Sequence, residues 1–310
     1  MKRKVHQVVG SLKFLTPVFM VSGLVLAAVV IYELKDQLTL IKIAHINLLF
    51  VAASFQGIVL VVTALAWKKN TALHHIGDIS FLESVAHVGV NSLGKYLPGK
   101  IAGSVFRGAE IHKNGGSLQA VIIASLIEQV AIIHSGILIA MVLLTYNAYG
   151  VWAGVVFFII SIISIFFIKY LKPVLQWVIR KFKPAMLSFQ NESGLDDVRS
   201  YGIVFGIISS TWVLTALAVY CCVIAFGASS GISFLEVLLI TVFAFMGGFA
   251  AFFVPAGIGV REGIMVSMLT PLVGFSVAVA VSVLHRLILI LFDILLGSYS
   301  LFYKRPFSSF

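Results

Sequence analysis

The sequence predicts an all-α, polytopic membrane protein, and three observations support this prediction. Apolar residues make up 60% of the 310-residue chain and charged residues only 11%, whereas soluble domains average about 45–50% and about 25%. The apolar residues form long runs, and short basic stretches flank these runs. Because so few charges cannot cover a surface exposed to water, lipid must be the main solvent. We therefore expect a single integral membrane domain over residues 1–310.

Six apolar runs are predicted to cross the membrane as helices, since about 20 apolar residues span the hydrocarbon core. They are Phe14–Tyr32, Ile46–Trp67, Leu118–Thr145, Val151–Ile168, Tyr201–Phe226 and Phe275–Tyr303. Basic residues precede the first run, as they do in a signal peptide. That run is too long for the apolar region of a signal peptide, and no convincing cleavage site follows it. We therefore expect an uncleaved first helix.

Two further apolar regions, Phe81–His112 and Phe234–Val273, are interrupted by proline, glycine and charge. The interruptions contain Pro98, Gly99 and Gly103 in the first region and Pro255, Gly257 and Gly259 in the second. Each half of these regions is short for a full span. They are predicted to be re-entrant hairpins, in which two half-helices meet at a backbone break.

The distribution of Lys and Arg predicts the topology. The N-terminus, the stretch 169–200 and the C-terminus are basic, whereas the connections 146–150 and 227–233 carry no charge. By the positive-inside rule, both termini face the cytoplasm of a cytoplasmic (inner) membrane. Six spans agree with this only if each hairpin returns to the side it entered from. The net charge of +10 then reflects topology and attraction to anionic lipid, and no nucleic-acid partner is expected.

The order helix, helix, hairpin, helix occurs twice, in opposite orientations. The halves cover about residues 14–145 and 151–303. Spacing agrees, because Pro98 and Glu128 are 30 positions apart, as are Pro255 and His285. Inverted repeats with broken helices are typical of membrane transporters. The sequence therefore predicts an inverted repeat.

Charged residues inside the apolar regions are few. Glu128 is the one charge between Asn114 and Ile168. The stretch from Tyr201 to Tyr303 contains Glu236, Arg261, Glu262, Arg286 and Asp293. A charge at mid-bilayer costs about 2.5–3.5 kcal/mol on insertion scales, so such residues are expected to face a cavity, pair with each other or bind a ligand. For Glu128 and Arg286 the alternative is a structural salt bridge that locks the two halves together.

Basic residues concentrate at the two breaks, and they predict an anion site. They are Lys95, Lys100, Arg107 and Arg261. A broken helix exposes unpaired N–H groups and a positive dipole end, and glycine lets a ligand approach the backbone closely. Phosphate fits such a site, and the arginine fork can hold two of its oxygens. Alternatively, the two lysines extend to the membrane interface. We expect Glu262 to neutralise neighbouring arginines, and Asp293 to line the same site.

No catalytic motif is present, and the histidines lack metal-ligand spacing with Asp, Glu or Cys. The glycines of Gly257-Ile258-Gly259 follow no βαβ pattern, which argues against a dinucleotide site. We therefore expect no enzyme activity, no metal and no cofactor.

The segment from Leu97 to Arg107, the lone Glu128, the segment from Val254 to Glu262, and Arg286 together resemble the lysylphosphatidylglycerol synthase transmembrane-region family. Pro255-Ala256-Gly257-Ile258-Gly259-Val260-Arg261-Glu262 is the most specific of these segments, and the resemblance covers about residues 10–303. The family includes the flippase-like domain of bacterial multiple peptide resistance factors. The resemblance implies site roles for Arg107, Glu128, Arg261, Glu262 and Arg286.

The chain departs from the family pattern at two positions. Gln129 stands where members often carry Arg, and Ala256 stands where glycine is commoner. The soluble aminoacyl-transferase domain of two-domain members is not expected, nor is lipid aminoacylation.

The resemblance and the charges together predict a flippase or transporter for an anionic phospholipid or a polyprenyl-phosphate-linked intermediate, with lipid as the partner. A homodimer is compatible with these features. Two alternatives are a membrane-embedded lipid-phosphate glycosyltransferase, for which Glu110 and Glu262 are the candidate carboxylates, and an accessory scaffold whose charges all pair off.

Overall fold

The computed structural model describes residues 43–74, 76–96, 102–113, 118–167, 198–228, 231–251 and 254–303. Several predictions fall outside these residues. They concern the first span Phe14–Tyr32, the basic stretches at both termini and most of 169–200, and three residues of the first break, Pro98, Gly99 and Lys100.

The described secondary structure is entirely helical, which confirms the all-α prediction. The helices are α1 Asn47–Leu73, α2 Phe81–Gly94, α3 Ala102–Lys113, α4 Leu118–Tyr149, α5 Val151–Phe166, α6 Val198–Ala225, α7 Phe234–Ala250, α8 Val260–Val273 and α9 Phe275–Phe302, with a 3-10 turn at Pro255–Gly257.

Four helices are long and apolar enough to cross a membrane: α1, residues 123–149 of α4, α6, and residues 275–300 of α9. Large apolar side chains are exposed on the outside of the bundle, among them Phe50, Trp152 and Phe166. A lipid environment explains this exposure, and the protein is a multi-pass membrane protein. The predicted span Val151–Ile168 corresponds to α5, which has 16 residues and a length of about 24 Å. That helix alone is shorter than the hydrocarbon core.

The two interrupted segments each form a pair of short helices that pack against each other, α2 on α3 and α7 on α8. A glycine permits the close approach in both pairs. A Cβ on Gly103 would lie 2.7 Å from the Cα of Asn91, and a Cβ on Gly257 would lie 2.7 Å from the carbonyl oxygen of Gly248. These glycines therefore bring the two halves of each segment together at the break.

The first helix of each interrupted segment starts in the same way. The pentapeptide Ile-Ser-Phe-Leu-Glu occurs at residues 79–83 and again at residues 232–236. In both copies the serine accepts from the glutamate N–H, and the glutamate side chain accepts from the serine N–H. This reciprocal capping satisfies backbone donors that the first helical turn leaves unpaired. Ser80 and Ser233 therefore fix where α2 and α7 begin.

The second break contacts the chain directly where the first break begins. The N–H of Ala256, in the second break, donates to the carbonyl oxygen of Lys95, at the end of α2, over 2.9 Å. Ala256 has a φ of 51°, in the left-handed region that alanine rarely adopts. The chain therefore holds an unfavourable backbone conformation at the point where the two breaks join.

The remaining contacts set the positions of the long helices. Helix α1 packs on α6, α2 packs on α9, and α7 packs on α4. Small residues bring α2 and α9 close together: a Cβ on Gly297 would lie 2.6 Å from the Leu93 side chain. This packing places the start of the first break beside the polar face of α9.

Candidate functional site

The first group of buried charges is an ion pair between α3 and α4. Nη1 of Arg107 lies 2.8 Å from Oε2 of Glu128 and donates a hydrogen bond to it. The two side chains are only 1% and 5% exposed. Charges so fully removed from solvent are stable only when paired. Each residue therefore neutralises the other.

An aromatic side chain completes this pair. The guanidinium carbon of Arg107 lies 3.9 Å from the centroid of the Trp67 ring, a cation–π arrangement. Trp67 Nε1 in turn donates to Nδ1 of His87 over 3.1 Å. The pair is therefore held by α1 and α2 as well as by the two helices that carry it.

The second group of buried charges lies where the two breaks meet. Nζ of Lys95 lies 2.7 Å from Oδ1 and 2.6 Å from Oδ2 of Asp293, and the hydroxyl of Tyr96 donates to Oδ2 over 2.8 Å. Asp293 is buried, whereas the Lys95 side chain is 38% exposed. The end of α2 is therefore attached to α9 by two side chains.

Arg286 and Glu262 continue this second group on the other side of the junction. Nε of Arg286 lies 3.6 Å from Oε1 of Glu262, and its Nη1 lies 3.5 Å from the carbonyl oxygen of Ala256. The other carboxylate oxygen of Glu262 accepts the N–H of Gly259 over 2.6 Å. We call Lys95, Tyr96, Ala256, Arg261, Glu262, His285, Arg286 and Asp293 the junction group.

Arg261 and His285 belong to the junction group as the sequence neighbours of Glu262 and Arg286. Nη2 of Arg261 lies 3.0 Å from Nδ1 of His285, and its guanidinium carbon lies 3.5 Å from the centroid of the Phe245 ring. Arginine has only donors, so Nδ1 accepts and the imidazole is the neutral form protonated on Nε2. His285 therefore holds Arg261 without neutralising its charge.

The second group is not fully satisfied. Nη2 of Arg286 and Nε2 of His285 are buried and have no hydrogen-bond partner among the residues that the structure describes. Buried polar atoms are nearly always paired, so these atoms mark a place where a ligand or water could bind. The hydroxyl of Ser282, one turn before His285, is also buried and unpaired.

The charges of the second group do not cancel. Lys95, Arg261 and Arg286 are cationic, whereas Glu262 and Asp293 are anionic, which leaves one formal positive charge. In the first group, by contrast, one cation meets one anion. Among the described residues each group has one buried arginine nitrogen without a hydrogen bond, Nε of Arg107 and Nη2 of Arg286. The uncompensated charge therefore makes the second group the better candidate site for an anion.

The structure brings five of the eight predicted binding residues into one region: Lys95, Arg261, Glu262, Arg286 and Asp293. Arg107 and Glu128 instead pair with each other, and no hydrogen bond or ion pair between described side chains joins them to the junction group. Lys100 lies outside the described residues.

Several residues with contacts in these groups were not predicted as site residues, among them Trp67, Tyr96, Phe245 and His285. For Tyr96, its position next to Lys95 at the break was an available signal. The position of His285, equivalent to Glu128 in the predicted repeat, was another. The two aromatic rings left no such signal, because aromatic residues are common throughout the apolar runs. Within the described ranges, no cluster of three His, Cys, Asp or Glu residues could hold a metal ion.

The fold and these charges define a class: a multi-pass, all-helical membrane protein whose interrupted helices carry buried charges. The sequence assigns the chain within that class. It belongs to the lysylphosphatidylglycerol synthase transmembrane-region family, whose sequence model matches residues 19–297. A search of curated proteins found no match.

Proposed function

We propose that this protein is a lipid flippase, which moves a lipid with a phosphate-containing headgroup across the cytoplasmic membrane. The junction group supports this proposal most directly. It combines one uncompensated positive charge with an unpaired donor on Arg286, at the contact between two helix breaks. An anion that enters the hydrocarbon region requires such charge and donors, and phosphate is the abundant anionic group of membrane lipids.

The proposed transporter architecture is an inverted repeat, in which α1–α4 correspond to α6–α9. The packing contacts support it. Four contacts within the first half recur within the second half: α1–α2 recurs as α6–α7, α2–α3 as α7–α8, α3–α4 as α8–α9, and α1–α4 as α6–α9. Two contacts between the halves also correspond, α2–α9 to α7–α4 and α1–α9 to α6–α4. The repeated Ile-Ser-Phe-Leu-Glu sequence opens the corresponding helices α2 and α7. Repeats of this kind allow a site to face either leaflet alternately.

We further propose that the α2–α3 and α7–α8 pairs are re-entrant hairpins, and that six spans place both termini in the cytoplasm. The short half-helices support this, since α2 and α3 have 14 and 12 residues and lengths of about 21 and 18 Å. Neither is long enough to cross about 30 Å of hydrocarbon. Cysteine accessibility at Asn147 and Lys69 would test the topology.

Lys95, Arg261 and Arg286 are the proposed phosphate contacts, and Asp293 positions Lys95. Arg107 and Glu128, which the sequence also predicted as headgroup contacts, contact each other in this structure. A transport role for Arg107 and Glu128 therefore requires the pair to open. The scaffold alternative predicts closed, neutral pairs such as this one. It does not predict a junction group with a net positive charge.

The test is transport of labelled phosphatidylglycerol in liposomes that contain the purified protein. We expect Arg286→Ala to reduce the initial rate at least tenfold, because a charge-assisted contact to phosphate contributes about 1.5–3 kcal/mol. Lys69→Ala is the matched control, since Lys69 is an exposed cation outside the group. It should transport like the parent protein.

Two results would contradict the proposal. One is a parent protein that does not accelerate lipid movement above empty liposomes. The other is an Arg286→Ala variant that is folded and transports at the parent rate. Thermal unfolding of each purified variant separates a lost contact from a lost fold.

A further inference from the structure

The anion position at the start of α8 is already filled by a side chain of the protein itself. Oε2 of Glu262 accepts the N–H of Gly259 over 2.6 Å, at the positive end of the helix dipole. Its other oxygen faces Nε of Arg286 at 3.6 Å. The Glu262 carboxylate thus lies between a helix N-terminus and an arginine, as a bound phosphate would.

The fit of this carboxylate is incomplete. Oε1 of Glu262 has no hydrogen bond within the described part of the chain, because Nε of Arg286 lies 3.6 Å away, which exceeds hydrogen-bond distance. Nη2 of the same guanidinium is also unpaired there. A buried acceptor therefore lies near a buried donor without a good bond between them. A phosphate, with more oxygens in a tetrahedral arrangement, could bond donors that the planar carboxylate does not reach.

The start of α8 also differs from the other two capped helix starts. In α2 and α7 a serine side chain accepts the N–H of the third helical residue. In α8 the corresponding residue is Gly259, which has no side chain to do so. A Cβ placed on Gly259 or on Gly263 would meet no atom within 4 Å, so there is room beside this turn for a headgroup.

We propose that Glu262 is an internal competitor for the anion site: it occupies the position of the phosphate in the empty protein, and a phosphate group displaces it on binding. This inference rests on the proposed function and adds a regulatory residue to the same site. The competition weakens binding of any single phosphate. It would thereby allow the lipid to leave the site after transport.

The test measures binding to purified protein in detergent, with a short-chain fluorescent phosphatidylglycerol as the probe and phosphatidylcholine with the same label as the zwitterionic comparison. Glu262→Gln removes the charge but keeps an amide oxygen that can accept the Gly259 N–H. We expect it to bind phosphatidylglycerol roughly three- to tenfold more tightly, as the loss of a carboxylate at a helix N-terminus implies.

Glu236→Gln is the matched control, because Glu236 caps α7 in the same way and lies outside the junction group. It should leave the affinity unchanged. Glu262→Ala removes both the cap and the charge, and it should also tighten binding, so the result does not depend on one variant. Unfolding temperatures of all variants check that each is folded.

Inorganic phosphate as a competitor separates two sources of the ligand. If Glu262→Gln tightened the binding of inorganic phosphate but not of the lipid, displacement would be supported and the ligand would be free phosphate. An affinity for both probes that is unchanged or weaker in Glu262→Gln would overturn the inference. In that case, weaker lipid binding by Arg286→Ala would still support the proposed function. Lipid binding by Arg286→Ala at the affinity of the parent protein would contradict both this inference and the proposed function.

Discussion

The two halves of the molecule each contain a buried arginine, and the two arginines have different kinds of partner. In the first half Arg107, on α3, meets Glu128 on α4 at 2.8 Å. In the second half Arg261, on α8, meets His285 on α9 at 3.0 Å. Glu128 and His285 occupy equivalent positions in the proposed repeat, 30 residues after Pro98 and Pro255. One arginine therefore has an acidic partner and the other a neutral partner.

This difference is why the second half is the proposed anion site. A carboxylate cancels the arginine charge and closes the site, so an incoming phosphate would have to replace a bond of the same kind. A neutral imidazole orients the arginine but leaves its charge available. The partner of the arginine, Glu128 in one half and His285 in the other, thus separates a closed ion pair from an arginine whose charge is not cancelled.

The largest effect is expected from opening the closed pair. Glu128→Gln leaves the Arg107 charge buried beside Trp67 without a counter-charge, and it should lower the free energy of unfolding by about 3–5 kcal/mol. Unfolding by SDS in mixed micelles measures this. The matched substitution in the other half, His285→Gln, removes no charge, so it should lower the free energy of unfolding by less than Glu128→Gln does.

The double variant Arg107→Met, Glu128→Leu sharpens this prediction. It removes both charges together, and replacing a buried ion pair by apolar residues is often neutral or stabilising. Recovery of stability in the double variant would show that the cost in Glu128→Gln comes from the unpaired charge. If the single variant were as stable as the parent, the pair could not be closed as described.

A second, smaller effect is expected at the glycines of the second break. Gly257 and Gly259 both have positive φ, but only a Cβ on Gly257 would overlap with the backbone of Gly248. Gly259→Ala should lower the free energy of unfolding by about 1–3 kcal/mol because of backbone strain. Gly257→Ala should lower it by about 2–4 kcal/mol, since steric overlap adds to the strain. Unfolding free energies in SDS, compared between the two alanine variants, check the order.

The opposite order would mean that the α7–α8 packing is looser than the structure shows. The equivalent packing at Gly103 gives an internal comparison, because its Cβ would also overlap with a backbone, that of Asn91. Gly103→Ala should therefore resemble Gly257→Ala rather than Gly259→Ala.

Much of the fold follows from the sequence, for physical reasons. Composition determines the solvent, and in lipid every backbone group must be bonded internally, which leaves helices as the natural solution. Proline and glycine located both interruptions to within a few residues: α2 ends at Gly94 and α8 starts at Val260. The repeated Ile-Ser-Phe-Leu-Glu sequence was also available, but short identities are hard to recognise in apolar sequence.

The partners of the charged residues were harder to predict, because they depend on how each helix is rotated. Glu262 was expected to neutralise a neighbouring arginine, and Arg261 is next to it in sequence. Adjacent residues on a helix point about 100° apart, however. The carboxylate faces Arg286, on α9, an arginine that is a neighbour in space and not in sequence. In the same way, Arg107 and Arg261 were grouped by their positions beside the breaks, whereas packing directs them to different partners.

The smallest expected effect tests the strain at the contact between the breaks. Ala256, with a φ of 51°, bears a left-handed conformation that costs roughly 1–2 kcal/mol in alanine, while glycine adds about 0.5–1 kcal/mol of backbone entropy. Ala256→Gly should therefore raise the free energy of unfolding by up to about 1 kcal/mol, visible as a small rise in unfolding temperature. Ala251→Gly is the matched control, because Ala251 has an ordinary φ of −71° and the same substitution should there be destabilising. A loss of stability in both variants would mean that the bond from Ala256 N–H to Lys95 depends on the alanine, and that the junction between the halves is less strained than its backbone angle indicates.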